Sequence, residues 1–364
     1  MLPPESTTAP VLPALSAAVA VASLTHGYLW RRLFHDTRTR GALALVLPAL
    51  LLPVCMLGLL YMRTLPLAVA RPVMAVCYTY VGLLFFLVLL LVAFDVATIF
   101  GPASLRRARV QAVVAVSGAM ALSMMAMRGA LQPVKVRSCP VRAPAGLDGY
   151  RIAQLADLHI GAMRGRAFVA DVVASVNAAR PDLVVITGDL VDGTPEQLLG
   201  ELAPLRELRA ATYLVLGNHE HLSGAAAWRS VLPTLGIHVL TDERVHLASF
   251  DLVGLDDEPT PARDAALAPS GRYTIVLAHE PRDVAEVARR GADVQLSAHT
   301  HGGQIFPLHV LERWVQGYLV GDYLVGATQL HVSSGTGFWG PPMRLSSRAS
   351  IDLVILTTPK GDMP

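Results

Sequence analysis

The chain has 364 residues, of which 53% are hydrophobic and only 16% charged, with a formal net charge of +2. That composition argues against a chain exposed to water throughout, and so small a net charge gives no reason to expect nucleic acid as a partner. The cysteines Cys55, Cys77 and Cys139 are too few and too scattered for a disulfide framework.

Charge is unevenly placed: residues 1–130 carry ten arginines against Glu5, Asp36 and Asp95, so the remainder is net negative. The same third holds four apolar stretches, near 11–30, 41–62, 72–98 and 110–130. Each has the roughly 20 residues needed to cross a hydrocarbon core. They predict a multi-pass bundle over 1–131, in the plasma (inner) membrane. The first stretch is Ala-rich and contains His26, which also suits a signal anchor; no basic segment precedes it, as a cleaved signal peptide requires. Arg31, Arg32, Arg38 and Arg40 follow the first stretch, and Arg106, Arg107 and Arg109 follow the third. Only Arg63 and Arg71 lie between the second and third. The positive-inside rule then places the arginine-rich loops in the cytoplasm and the C-terminal domain outside it. Asp95 is the one acid within an apolar stretch and reads as a solvated helix end. A transporter would need polar residues facing the bundle interior, and these are nearly absent. The bundle reads as an anchor.

Residues 132–148 form a linker and a first strand, punctuated by Pro133, Pro140 and Pro144. Tyr150–Ala156 then alternates as a strand, 166–179 has helical spacing, and Leu183–Ile186 is a short apolar strand. Residues 195–210 read as helix and Tyr213–Leu216 as strand. Further strands are expected at 237–240, 250–254, 273–278, 293–297, near 329–334 and at 350–357, with a helix at 281–290. This alternation argues an α/β domain.

Polar blocks stand where those strands end: Asp157-Leu158-His159, Gly188-Asp189, Gly217-Asn218-His219-Glu220, His279-Glu280, and His299-Thr300-His301-Gly302-Gly303. Open α/β sheets gather their ligands at the carboxyl ends of strands. Asp, His and Asn suit hard-to-borderline divalent metals. Asp157 and His159, two apart, face the same way if the chain there is extended. In order and spacing the blocks resemble the calcineurin-like metallophosphoesterase superfamily, and more narrowly its membrane-attached bacterial branch and a vertebrate transmembrane relative. The resemblance runs from about Gly149 to about Leu356, within a domain taken as 149–358.

The resemblance implies two mixed β-sheets flanked by helices in four layers. It implies one ion on Asp157, His159, Asp189 and His301, and another on Asp189, Asn218, His279 and His299, with Asp189 bridging. Mn, Fe or Zn fit that set, Mn above the others. It implies His219 as the acid that protonates the leaving oxygen, with Asp192 orienting it. Arg344 reads equally as a contact to substrate phosphate or as a structural salt bridge, and Gln304 as lining the site or as structural. Glu220 reads as solvated, and His221, His238, His246, His309 and His331 as surface or core histidines. Ala156, Ala298 and Ser346–Ala349 depart from the family pattern without removing a ligand.

The expected reaction is hydrolysis of a phosphomonoester, phosphodiester or pyrophosphate by in-line attack of a metal-bridging hydroxide. Membrane attachment points to a phospholipid, a lipid-linked nucleotide or an envelope-derived substrate. The alternative is a metal-binding membrane receptor or scaffold with the same fold and no turnover.

Overall fold

The computed structural model describes residues 11–38, 55, 65–101 and 107–359. The chain divides into two compact units, one of residues 1–62 and 69–125, the other of residues 63–68 and 126–364.

In the first unit, α1 is Val11–Trp30, α2 is Leu67–Phe100 and α3 is Ala108–Ala130. The helix α3 ends in the second unit, and α2 begins there. Two described helices, Leu67–Ile99 and Ala108–Ala130, are long and apolar enough to cross a membrane. Their outward positions include Val76, Val96, Ile99, Val113 and Met124, all exposed, so neither helix has the polar face that water selects. The first predicted span forms the helix α1. The second, 41–62, lies outside the described residues apart from Cys55, as do Glu5, Arg40, Arg63 and Arg106. Asp95 is not a solvated helix end. It accepts a hydrogen bond from the Tyr28 hydroxyl at 2.6 Å and pairs with Arg32 at 2.9 Å. A charge on an apolar helix thus finds its counter-charge on a neighbouring element.

The second unit holds two six-stranded sheets. The strands are β1 Lys135–Arg142, β2 Arg151–Leu155, β3 Leu183–Thr187, β4 Ala211–Val215, β5 Ile237–Leu240, β6 Glu243–His246, β7 Asp251–Gly254, β8 Thr274–Leu277, β9 Val294–Ser297, β10 Gly321–Val325, β11 Thr328–Val332 and β12 Ser350–Thr357. The first sheet runs β1-β12-β2-β3-β4-β5 and the second β10-β11-β9-β8-β7-β6. Each is mixed. In the first, β12 is antiparallel to β2, and β2 to β5 are parallel. In the second, β7, β8, β9 and β11 are parallel between antiparallel edges.

Val, Leu and Ile on both faces of the central strands require cover on both sides. Ile152, Leu183, Val185 and Val215 of the first sheet share one buried cluster with Leu252, Ile275, Leu277 and Leu296 of the second. The other face of the first sheet packs on the helices α4 Arg166–Ala179, α5 Pro195–Leu202 and α7 Ala225–Val231 through Val169, Val173, Leu198 and Trp228, while the short helix α6 Asn218–Ser223 follows β4. The other face of the second sheet packs on α8 Arg263–Ala266 and α9 Val284–Arg289 through Ala266 and Val287. The last helix is α10 Leu308–Gln316.

The predicted strands appear within a residue or two of the expected bounds. The strands β6 and β10 and the helices α6, α7, α8 and α10 are not among the expected elements. Both strands alternate or grade in exposure along edges and carry polar residues, which leaves little periodic signal.

Candidate metal centre

Every polar block follows a buried strand: β2 leads to Asp157, β3 to Asp189, β4 to Asn218, β8 to His279 and β9 to His299. The loops beyond β2 and β3 continue their parallel pairing. Asp157 N–H donates to Gly188 O at 3.1 Å, His159 N–H to Asp189 O at 3.1 Å and Ile160 N–H to Leu190 O at 2.9 Å.

The backbone there is not extended, contrary to the sequence expectation for Asp157 and His159. Asp157, His159, Asp189, His299 and His301 have φ of 49°, 47°, 52°, 69° and 51°. Left-handed conformation costs a side-chain-bearing residue roughly 1–2 kcal/mol. Such outliers persist only where surroundings over-determine them, and they gather at functional sites. Here the strain curls each chain end back so that its side chain meets the others.

Glu220 is one of those surroundings. Contrary to the solvated position that the sequence suggests, it is fully buried at the start of α6. Its carboxylate accepts the N–H groups of Asp189 at 3.0 Å, Val191 at 2.9 Å and Gly217 at 2.8 Å. Burial first, then the Asp189 charge, push its carboxyl up to about 7. Gly217 is required for space: a Cβ there would lie 2.3 Å from Asp189 Oδ1. Gly188 has φ of 88°, and a Cβ on it would meet His279 Nδ1 at 2.4 Å.

The side chains form two groups around Asp189. Asp157, His159 and His301 have ligand atoms within 4.8 Å of one another, and so do Asp189, His279 and His299. One oxygen, Asp189 Oδ2, stands 3.3 Å from His279 Nε2 and 3.7 Å from His159 Nε2. The Nε2 atoms of His159 and His301 are 3.1 Å apart. His279 Nε2 is 3.0 Å from His299 Nδ1 and 3.1 Å from Asn218 Oδ1. His279 Nδ1 donates to Thr187 O at 2.9 Å, which turns the lone pair of Nε2 toward this cluster.

The electrostatics are those of a site short of positive charge. Burial pulls His279 down, but Asp189, Asp157 and Asp257 outweigh it and hold the imidazole well above its ordinary value. Burial likewise opposes His159, and Asp192 with Asp189 raises it to about 9. Burial raises Asp157 to about 6, and its buried Oδ2 has no hydrogen-bond partner among the described residues. His301 is held well below its ordinary value by burial, then by His159 and Arg344. Converging lone pairs of Asp, His and Asn and an orphaned carboxylate oxygen fit divalent cations in both groups.

His219 lies on α6. Its N–H donates to Asp189 Oδ1 at 2.9 Å, and its Nδ1 meets Asp192 Oδ1 at 2.5 Å. The same Asp192 oxygen is 3.1 Å from His159 Nδ1, so Asp192 holds two imidazoles. Trp339 packs its ring 5.8 Å from that of His219, a neighbour that sequence gave no reason to single out.

Arg344 is buried with its donors committed. They reach Gly337 O at 2.7 and 3.0 Å, Ser334 O at 2.8 Å, Ser347 Oγ at 2.7 Å and His301 O at 3.3 Å. It is not free for substrate phosphate and makes no salt bridge among the described residues; it clamps the loop that bears His301. Gln304 bridges the backbone of Trp339, accepting its N–H at 3.0 Å and donating to its carbonyl at 2.8 Å. It holds loops together and does not point at the ligand groups.

Another cluster is not evident from the sequence. Cys139, His331 and Asp352 lie within 4.8 Å of one another. Arg137 binds Asp352 through two 3.1 Å hydrogen bonds, and His331 joins Asp322 at 2.5 Å to Asp352 at 3.1 Å. Both ring nitrogens are spent, and a guanidinium sits where a cation would compete.

Residues 150–303 match the family described as calcineurin-like phosphoesterase. The chain is 37% identical over 230 residues to an uncharacterized metallophosphoesterase of Helicobacter pylori, covering 60% of this chain and 62% of that one. It is 34% identical over 281 residues to a transmembrane protein with metallophosphoesterase domain of Bos taurus, covering 69% and 63%. Against an uncharacterized metallophosphoesterase of Aquifex aeolicus, identity is 30% and the match covers 59% of this chain and 87% of the other. The chain belongs to the calcineurin-like metallophosphoesterase family. That family implies divalent metal ions, in keeping with the two groups around Asp189. The match spans less than two thirds of the Helicobacter pylori and Bos taurus relatives. A solved dimetal phosphatase from Danio rerio overlaps 52% of this chain and 88% of its own, at 13% identity and a TM-score of 0.36.

Proposed function

We propose that the chain is a membrane-anchored, metal-dependent phosphoesterase. The observation that carries this reading is the sharing of Asp189 Oδ2 between two ligand groups, 3.3 Å from His279 and 3.7 Å from His159. The first ion falls to Asp157, His159, Asp189 and His301, the second to Asp189, Asn218, His279 and His299. The ions would supply Lewis-acid polarisation of the phosphoryl oxygens and of the attacking water. His219, oriented through Nδ1 by Asp192, delivers the proton to the departing oxygen. Glu220 fixes the Asp189 and Asn218 loops in register, and Arg344 fixes the His301 loop. The strained ligand backbone is held before substrate arrives, so little reorganisation is left for the reaction.

The four-layer sandwich over residues 149–358, the anchor over 1–131 and the linker over 132–148 belong to the same reading. The two long apolar helices and the transmembrane name of the Bos taurus relative support the anchor. An inner-membrane, multi-pass chain with its domain outside the cytoplasm remains the arrangement that the arginine-rich loops favour. Mn²⁺ is the ion of choice, and a lipid-linked or envelope phosphate ester the substrate class.

The test is metal-dependent hydrolysis of an aryl phosphodiester and an aryl monoester by the purified full chain in detergent, with Asp189→Asn alongside. Cleavage that needs Mn²⁺ and vanishes in the variant is the expected outcome. Equal rates in both proteins would remove the assignment.

A further inference from the structure

The helix that follows the ligand loop has its polarity inverted. In α10, His309 and Glu312 are half-buried and Gln316 is buried. Val310, Leu311, Trp314 and Val315 face outward at 61, 55, 82 and 57% exposure. Phe306, just before the helix, is also exposed. A surface helix in water turns its apolar stripe inward. Here the inward positions 309, 312 and 316 are polar. Internal hydrogen bonding does not explain this, since the buried atoms His309 Nδ1 and Gln316 Oε1 have no partner among the described residues. Leaving four large apolar side chains in water forgoes the free energy of burying them. A contiguous outward face of this kind belongs against another apolar medium.

The second unit itself indicates which medium. Arg344 N–H donates to Ala126 O at 2.8 Å, in the last turns of α3, and Leu345 N–H donates to Gln304 O at 2.8 Å. Two consecutive residues thus tie the end of a long apolar helix to the residue that closes the ligand loop and opens the segment leading to α10. Gly303 packs so closely on the helix that a Cβ there would sit 2.2 Å from His309 Cα. The exposed face combines a tryptophan, aliphatic residues and the cation of Arg313, while Glu312 turns partly inward. That is the composition of a helix lying in a lipid headgroup region.

We propose that α10 is an interfacial helix seated in a phospholipid bilayer, with Phe306, Val310, Leu311, Trp314 and Val315 toward the acyl chains. The inference rests on the membrane reading above and adds to it. The His299–Gly303 loop is then held at the membrane surface, and a phosphate ester reaches it from the headgroup plane.

The test uses the full chain reconstituted in phosphatidylethanolamine–phosphatidylglycerol vesicles, with an environment-sensitive fluorophore on Leu311→Cys. A second preparation carries the label on Ala174→Cys, at an exposed position of α4. The three native cysteines are buried. The expected result is a blue-shifted Leu311→Cys label, quenched by lipids brominated on their acyl chains and shielded from iodide. The Ala174→Cys label should be quenched by iodide alone. If the chain floats with vesicles but both labels are equally open to iodide, the interfacial helix is overturned and the anchor stands. If the chain does not float, both fall. A blue shift without bromolipid quenching would mean a protein partner and overturns the lipid assignment.

Discussion

His279 Nε2 and His299 Nδ1 stand 3.0 Å apart, while the other nitrogen of His279 is committed to Thr187 O at 2.9 Å. The oxygens of Asn218 and Asp189 lie 3.1 and 3.3 Å from the same Nε2. Lone pairs converging in this way fit a cation among them. Mn²⁺ should therefore raise the unfolding temperature of the full chain. Saturation to a hundredfold above Kd adds about 2.7 kcal/mol per site. Asp189→Asn touches both groups and should abolish most of the shift, whereas His301→Ala should remove only part. Thermal unfolding with and without chelator checks this; an unchanged midpoint on loading would refute the metal centre.

Asp192 serves two imidazoles through one oxygen, at 2.5 Å to His219 and 3.1 Å to His159. The two partners should separate in mutants. His219→Ala should lower kcat by about 10²–10⁴ and leave bound metal at the wild-type level. Asp192→Asn should lower kcat and also loosen the metal, because it releases His159, a proposed ligand, as well as His219. Rate and metal content measured on the same preparations decide it. Full metal retention in Asp192→Asn would mean that His159 is held without it.

The strand-to-ligand pattern was legible because buried parallel strands are written as unbroken apolar runs, Leu183–Ile186 being the plainest. Conformation at the strand ends was not. Nothing in Asp157-Leu158-His159 announces φ values near 50°, because the strain is imposed by the loops beside it. Glu220 looked solvated because its three N–H partners come from residues 189, 191 and 217, which only the fold brings together. The pattern at Arg344 was visible, but its burial among carbonyls was not. Helix α10 is written in the helical spacing of Val310, Leu311, Trp314 and Val315, but that this side faces outward is not legible in the sequence.

Glu220 is the clamp most easily tested. Glu220→Ala orphans three buried N–H groups, at a cost of roughly 1–3 kcal/mol for each that the loops cannot satisfy again. Glu220→Gln should also destabilise, since its amide nitrogen would face donors. Both should unfold at lower temperature than wild type even in excess Mn²⁺. Chemical denaturation of the variants gives the comparison; a wild-type midpoint for Glu220→Gln would mean that the carboxylate charge is dispensable.

His331 on β11 and Asp352 on β12 join the two sheets at 3.1 Å. Burial pulls the imidazole down, but the hydrogen bonds to Asp322 and Asp352 outweigh it and hold it well above its ordinary value. Burial opposes Asp352 too, yet His331 and Arg137 hold it down to about 2. A raised imidazole stabilises the fold fully below its unfolded value near ~6.5, and the contribution is lost as pH rises through the folded value. The Asp352 contribution is present above its unfolded value near ~3.9 and is lost as pH falls through about 2. His331→Gln should thus cost most between those limits, by about 1.5–3 kcal/mol for the lost charge-assisted hydrogen bond to buried Asp352, which keeps its pairing with Arg137. The gap in unfolding temperature between wild type and variant should narrow as pH is raised from ~6 toward ~9. A gap that stays constant or widens over that range would exclude a charged imidazole between the sheets.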